Sequence, residues 1–142
     1  MQASPTKVGA IGTLAFIGMI DTLYLSISRR PGPIPCHITS GCEDVVTSVY
    51  STVAGILLAW FGLAFYLTVF GTAAFEGSGN TGTVRLLFWP ATLALIASAT
   101  LTGIQAFVLE AYCEYCLGSA ALSTGIFFLV VSSRNDSKGT GE

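Results

Sequence analysis

Charge is scarce in this chain. Asp, Glu, Lys and Arg make up 10% of its 142 residues, against about 25% in an ordinary soluble domain. That is too few to cover a water-facing surface. Neither sign dominates: a net charge of −2 gives no footprint for nucleic acid or for an acidic partner. There is one histidine and there are four cysteines, so few metal-ligand sets can be assembled. No internal repeat is visible. What is abundant is apolar: 52% of residues are hydrophobic, gathered into long runs rather than spread at an amphipathic period. The composition is that of an integral membrane protein.

The runs divide the chain into four spans. A hydrocarbon core of ~30 Å takes ~20 helical residues. Residues 8–28 meet that length with one ionisable group, Asp21. The run is too long for a secretory signal core of roughly 7–15 residues and no A-x-A site follows it, so a retained helix is expected. Arg29-Arg30-Pro31-Gly32-Pro33-Ile34-Pro35 ends it, because prolines lack donors and disfavour helix in the residue before them. Residues 53–75 and 86–109 carry no charge at all, and Pro90 lies near the start of the latter, where proline is tolerated. The fourth span covers residues 113–133. Residues 76–83 read as a short flexible connection, 110–112 as barely a loop, and 134–142 as a flexible cytoplasmic tail. The fold class is therefore an all-α, four-transmembrane-helix bundle, whose Gly, Ala, Ser and Thr permit close helix packing in lipid. Residues 1–133 are expected to form its membrane domain.

Four spans place both termini on one side and the first and third connections on the other. Lys7, Arg85, Arg134 and Lys138 lie on the terminal side, against Arg29 and Arg30 opposite, which favours cytoplasmic termini. Cys36 and Cys42 fall in the first connection, Cys113 and Cys116 at the third. All four therefore share the extracytoplasmic face, where disulfides form and persist. Ser40-Gly41-Cys42-Glu43 fits a capping box, with Ser40 as N-cap and Glu43 at N3 of a short helix running towards Tyr50.

Cys113-Glu114-Tyr115-Cys116 is a C-x-x-C at a helix start, where the helix dipole favours a thiolate and the two sulfurs are close enough to bond. Three uses remain open. Two structural bridges are the plain one, although a C-x-x-C closes too short a loop to stabilise much. A zinc site of four cysteines with His37 in reserve suffers from the C-x5-C spacing of the first pair and few polar neighbours. Thiol–disulfide exchange between a loop pair and a helix-borne pair fits best. Its electrons would need a lipid-soluble acceptor at the bilayer edge, such as a quinone.

These features resemble the vitamin K epoxide reductase family in its bacterial four-helix form, over most of the chain. The matching residues are Asp21-Thr22-Leu23-Tyr24-Leu25, the pair Cys36/Cys42, Ser48, Gly55-Ile56, Gly62 with Tyr66, and the C-x-x-C itself. The looser pair precedes the C-x-x-C, which is the most specific part of the match. The resemblance implies a quinone (ubiquinone or menaquinone type) with Cys116 facing it and forming a transient adduct. It implies exchange of Cys113 with Cys42, and Cys36 meeting a partner's thiol. Ser48 would hydrogen-bond the quinone or support the active cysteines. Leu58 and Ala120 stand where the vertebrate enzymes have asparagine and tyrosine, so quinone reduction rather than epoxide reduction is implied. With no fused thioredoxin domain, the partner would be a separate thioredoxin-like, DsbA-like periplasmic protein. The location implied is the inner (plasma) membrane.

Asp21 lies seven residues before the end of its span, ~10 Å deep at 1.5 Å per residue. An acid at that depth marks a functional position by default. It is either a proton relay to the quinone or a protonated acid bonded to Gln105 or Ser98. Trp60, Trp89, Tyr112 and Tyr115 read as interface anchors or packing.

Overall fold

The computed structural model describes residues 4–28, 35–78 and 82–139. Arg29, Arg30, Pro31 and Pro33 lie outside the described residues, as does the chain beyond 139. Helix α1 (Pro5–Ser28) is followed by the short α2 (Cys42–Thr47), a single 3-10 turn (Val49–Ser51) and a hairpin of β1 (Thr52–Val53) and β2 (Ile56–Leu57). Then come α3 (Leu58–Gly77), a 3-10 turn (Thr83–Leu87), α4 (Phe88–Ile104) with a π-helical turn at its end (Gln105–Leu109), and α5 (Glu114–Gly139). Among the described residues four helical segments are long and apolar enough to cross a membrane. Ile20, Ile27, Trp89, Leu93 and Phe128 are exposed on their outer faces, which suits contact with lipid.

α1 packs on both α3 and α5, and α5 on α4. Their shared core is Ile11, Ala15, Tyr66, Val69, Ile126 and Val130, all fully or almost fully buried. Close approach depends on small residues: a Cβ at Gly18 would overlap the Tyr66 ring. One at Gly62 would lie 2.9 Å from the Thr22 methyl. Tyr66 then crosses the core to donate its hydroxyl to the Ser119 carbonyl at 2.9 Å. α3 and α4, though consecutive, make almost no contact with each other.

Several local expectations need correction. The second helix starts at Leu58 and not at Val53, because Ala54 and Gly55 both adopt positive φ (53° and 80°) and turn the chain into the hairpin. Glu76 is not in a flexible connection: it is buried in α3, and its carboxylate accepts the Val84 N–H at 2.6 Å. The chain from 134 is not a loose tail, since α5 runs to Gly139. Arg134 lies 4.1 Å over the Phe88 ring, and Asp136 pairs with Lys7 at 2.5 Å. That pair, with Lys7 also donating to Ser132, ties the two chain ends together at one end of the bundle.

Candidate functional site

At the opposite end the four cysteines meet in a single packed cluster with Leu25, Val45, Val46 and Leu109. Cys36 and Cys42 form a disulfide, while Cys113 and Cys116 are free thiols. Cys42 and Cys113 are both fully buried, whereas Cys36 is only partly so. The inner sulfur of the loop pair thus shares its packing with the first sulfur of the C-x-x-C, and the outer sulfur lies towards the surface.

α2 begins differently from the capping-box expectation. Its N-cap is Gly41, no side chain caps it, and Cys42 is its first residue. The reason is packing: a Cβ at Gly41 would sit 2.8 Å from both the Ala111 methyl and the Tyr112 nitrogen. The glycine is therefore held against the segment that leads into Cys113, and Ser40 is left exposed outside the helix.

Cys113 itself takes the N-cap place before α5. Its sulfur accepts the Cys116 N–H at 3.4 Å, one of the donors that a helix start leaves unpaired. Its own N–H donates to the Gln105 side-chain oxygen at 3.0 Å. Gln105 can reach because α4 widens there into the π-helical turn, a feature frequent at functional sites, and Glu110 then reverses the chain with φ of 49°. The Cys113 thiol is held below its ordinary pKa. The hydrogen bond from the Cys116 thiol is the largest cause; burial opposes it, the Cys116 and Tyr115 N–H groups add to it, and Asp21 opposes it.

Cys116 and Ser48 both line a cavity of about 600 Å³ that lies in the gap between α3 and α4. Its wall runs from Ser48 and Leu58 past Tyr66 to Thr68 and Pro90, largely apolar with a few hydroxyls. Cys113 is absent from that wall. Ser48 donates its hydroxyl to the Val45 carbonyl at 2.7 Å. Leu58 also lines the cavity, whereas Ala120 does not.

Asp21 does not line the cavity, although its neighbour Thr22 does. Among the described residues its Oδ2 is buried without a hydrogen-bond partner. The suggested partners are engaged elsewhere: Gln105 with Cys113, and Ser98 with Ser123 at 3.0 Å. Asp21 is near enough to act electrostatically on Cys113. Among the described residues no three His, Cys, Asp or Glu side chains converge as a metal site. Tyr115 packs rather than anchors: its ring lies 5.2 Å from that of Tyr24 and its hydroxyl donates to the Pro35 carbonyl.

Residues 10–131 match the family model for the vitamin K epoxide reductase family. The chain belongs to the vitamin K epoxide reductase family. It is also similar to a curated plant protein, "Thiol-disulfide oxidoreductase LTO1" of Arabidopsis thaliana, at 38% identity over 123 residues. That match takes in 80% of this chain and 33% of the plant protein, so the chain spans about a third of that relative's length. The helical membrane bundle is thus the family's fold.

Two residues of this site do something other than the sequence suggests. Gln105, a candidate partner of Asp21, instead accepts the Cys113 N–H. Glu114 stands in the sequence as a spacer in the C-x-x-C, and no local signal ties it to the loop that carries Cys36.

Proposed function

We propose that the protein is a membrane thiol–disulfide oxidoreductase that oxidises the dithiol of a thioredoxin-like partner and reduces a quinone. The observation that carries this reading is the separation of the two C-x-x-C sulfurs. Cys116 faces an apolar cavity, and Cys113 packs with Cys42 away from it.

The sequence of bonds follows. A partner thiolate attacks Cys36, the Cys36–Cys42 bond breaks, and the partner's second thiolate resolves the mixed disulfide. The partner leaves oxidised and the loop pair is reduced. The Cys42 thiolate then attacks Cys113 of an oxidised C-x-x-C, Cys36 resolves that bond, and the disulfide is restored to the loop. Cys113 and Cys116 are left as the dithiol. Transfer of their electron pair and protons to the quinone restores the C-x-x-C disulfide. The net reaction is dithiol plus quinone to disulfide plus quinol.

A quinone suits the cavity chemically, being a flat polar-tipped ring on an apolar tail, and the gap between α3 and α4 is a way in from the bilayer. The quinone would be of ubiquinone or menaquinone type. Ser48 lies where it supports the loop end of the cavity, and Asp21 is suited to pass protons towards the C-x-x-C. The cysteine end would face the extracytoplasmic side of the plasma membrane, with both termini in the cytoplasm.

Trapping tests this directly. In membranes, Cys42→Ala should hold a mixed disulfide between Cys36 and a soluble thioredoxin-like protein. Cys36→Ala should hold one between Cys42 and Cys113. If no single-cysteine variant traps any mixed disulfide, exchange is not the function, and structural bridging becomes the better reading.

A further inference from the structure

The segment around the C-x-x-C grips the loop that carries Cys36 by hydrogen bonds as well as by packing. Glu114 is the first residue of α5. Its two carboxylate oxygens accept consecutive backbone N–H groups, His37 at 2.9 Å and Ile38 at 2.6 Å. A carboxylate is an acceptor on both oxygens, so the pair of charge-assisted bonds is fully matched. The Thr39 hydroxyl donates to the Tyr112 carbonyl at 2.8 Å and lies 3.3 Å from the Cys36 sulfur and 3.8 Å from that of Cys42. The two Glu114 bonds tie the loop beside Cys36 to the C-x-x-C across 77 and 76 residues of chain, and the Thr39 bond spans 73.

We propose that Glu114 is a positioning residue. Its carboxylate latches the Cys36–Cys42 loop onto the start of α5, so that the Cys42 sulfur is held in register with Cys113 for disulfide exchange. This rests on the exchange reading above and adds a residue to it. The consequence is selective. Exchange between Cys42 and Cys113 needs the docked loop, whereas attack on the partly exposed Cys36 by a small dithiol does not.

The test uses the full chain in detergent micelles carrying Cys116→Ala. There the Cys113 thiolate attacks the Cys42 sulfur: the Cys36–Cys42 bond breaks, a Cys42–Cys113 bond forms, and Cys36 leaves as a thiolate that takes up a proton. Oxidation state does not change. Alkylation followed by peptide mapping gives the ratio of labelled Cys36 to labelled Cys113. Adding Glu114→Ala should lower that ratio by about tenfold, roughly the effect of one charge-assisted hydrogen bond. Glu114→Gln, which keeps one acceptor oxygen, should fall between. Reduction of the Cys36–Cys42 bond by dithiothreitol should be as fast as in the parent, or faster. An unchanged ratio in Glu114→Ala would overturn the latch while leaving the exchange reading intact. Equal slowing of dithiothreitol reduction would also overturn it, since Glu114 would then act on the reactivity of the Cys36–Cys42 bond itself and not on docking of the loop. Absence of any Cys42–Cys113 bond with Glu114 intact would overturn the exchange reading and the latch together.

Discussion

Cys113 gathers several influences on one sulfur, and their sum decides whether it is a thiolate at neutral pH. Its folded pKa is depressed, so the thiolate is present at a lower pH than in an ordinary thiol. Alkylation of Cys113 against pH should therefore have its midpoint below the ordinary value of 9.0. Cys116→Ala removes the largest depressing interaction, so the midpoint should move upward, and an unmoved midpoint would show that Cys116 does not act on it. Asp21 makes a second residue-scale case. Its unpartnered Oδ2 argues against a purely structural bond to Gln105 or Ser98. Asp21→Asn keeps the shape and removes the titrating proton. It should slow quinol formation by about 10²-fold or more with little loss of thermal stability. Equal activity at every pH would remove Asp21 from proton transfer. An acid inside an apolar run is visible in the sequence at Asp21. What surrounds it is not, because Gln105 is drawn away to Cys113 by a π-helical turn that no local sequence signal announces.

At the scale of elements, the α1–α3 contact is set by a glycine and a tyrosine. Gly18→Ala would force its methyl into the Tyr66 ring, and overpacking of this kind costs about 1–3 kcal/mol. Thermal unfolding in micelles should show the loss, whereas Gly9→Ala, with open space around it, should be close to neutral. The turn into Cys113 is equally specific. Gln105→Leu leaves the buried Cys113 N–H without its acceptor, a penalty of about 1–3 kcal/mol. The Cys113 alkylation profile should change along with it. The positions of the long helices were legible because apolar runs of bilayer length report themselves. Their ends were less so. Tertiary contact decided them: Ala54-Gly55 turn the chain before α3, Gly41 docks on Ala111, and Arg134 and Asp136 extend α5 beyond its apolar stretch.

On the scale of the whole molecule, the ordering of cysteines along four spans was enough to put them at one end, and the fold places them in one cluster there. Alternation of spans requires only counting, so this was the most robust inference available from the chain alone. The cavity was not legible in the same way. It exists because α3 packs on α1 and α4 on α5, leaving the two consecutive helices apart, and pairing of helices is not written in apolar runs that lack an amphipathic stripe. In the proposed reaction a dithiol at one end of this bundle reduces a quinone held in that gap. Partner disulfide and quinol can be assayed together with the purified protein, a reduced thioredoxin-like protein and a soluble quinone. One quinol should appear for each disulfide formed, and Cys116→Ala should abolish the quinol. Disulfide formation without quinol, or undiminished quinol from Cys116→Ala, would contradict it.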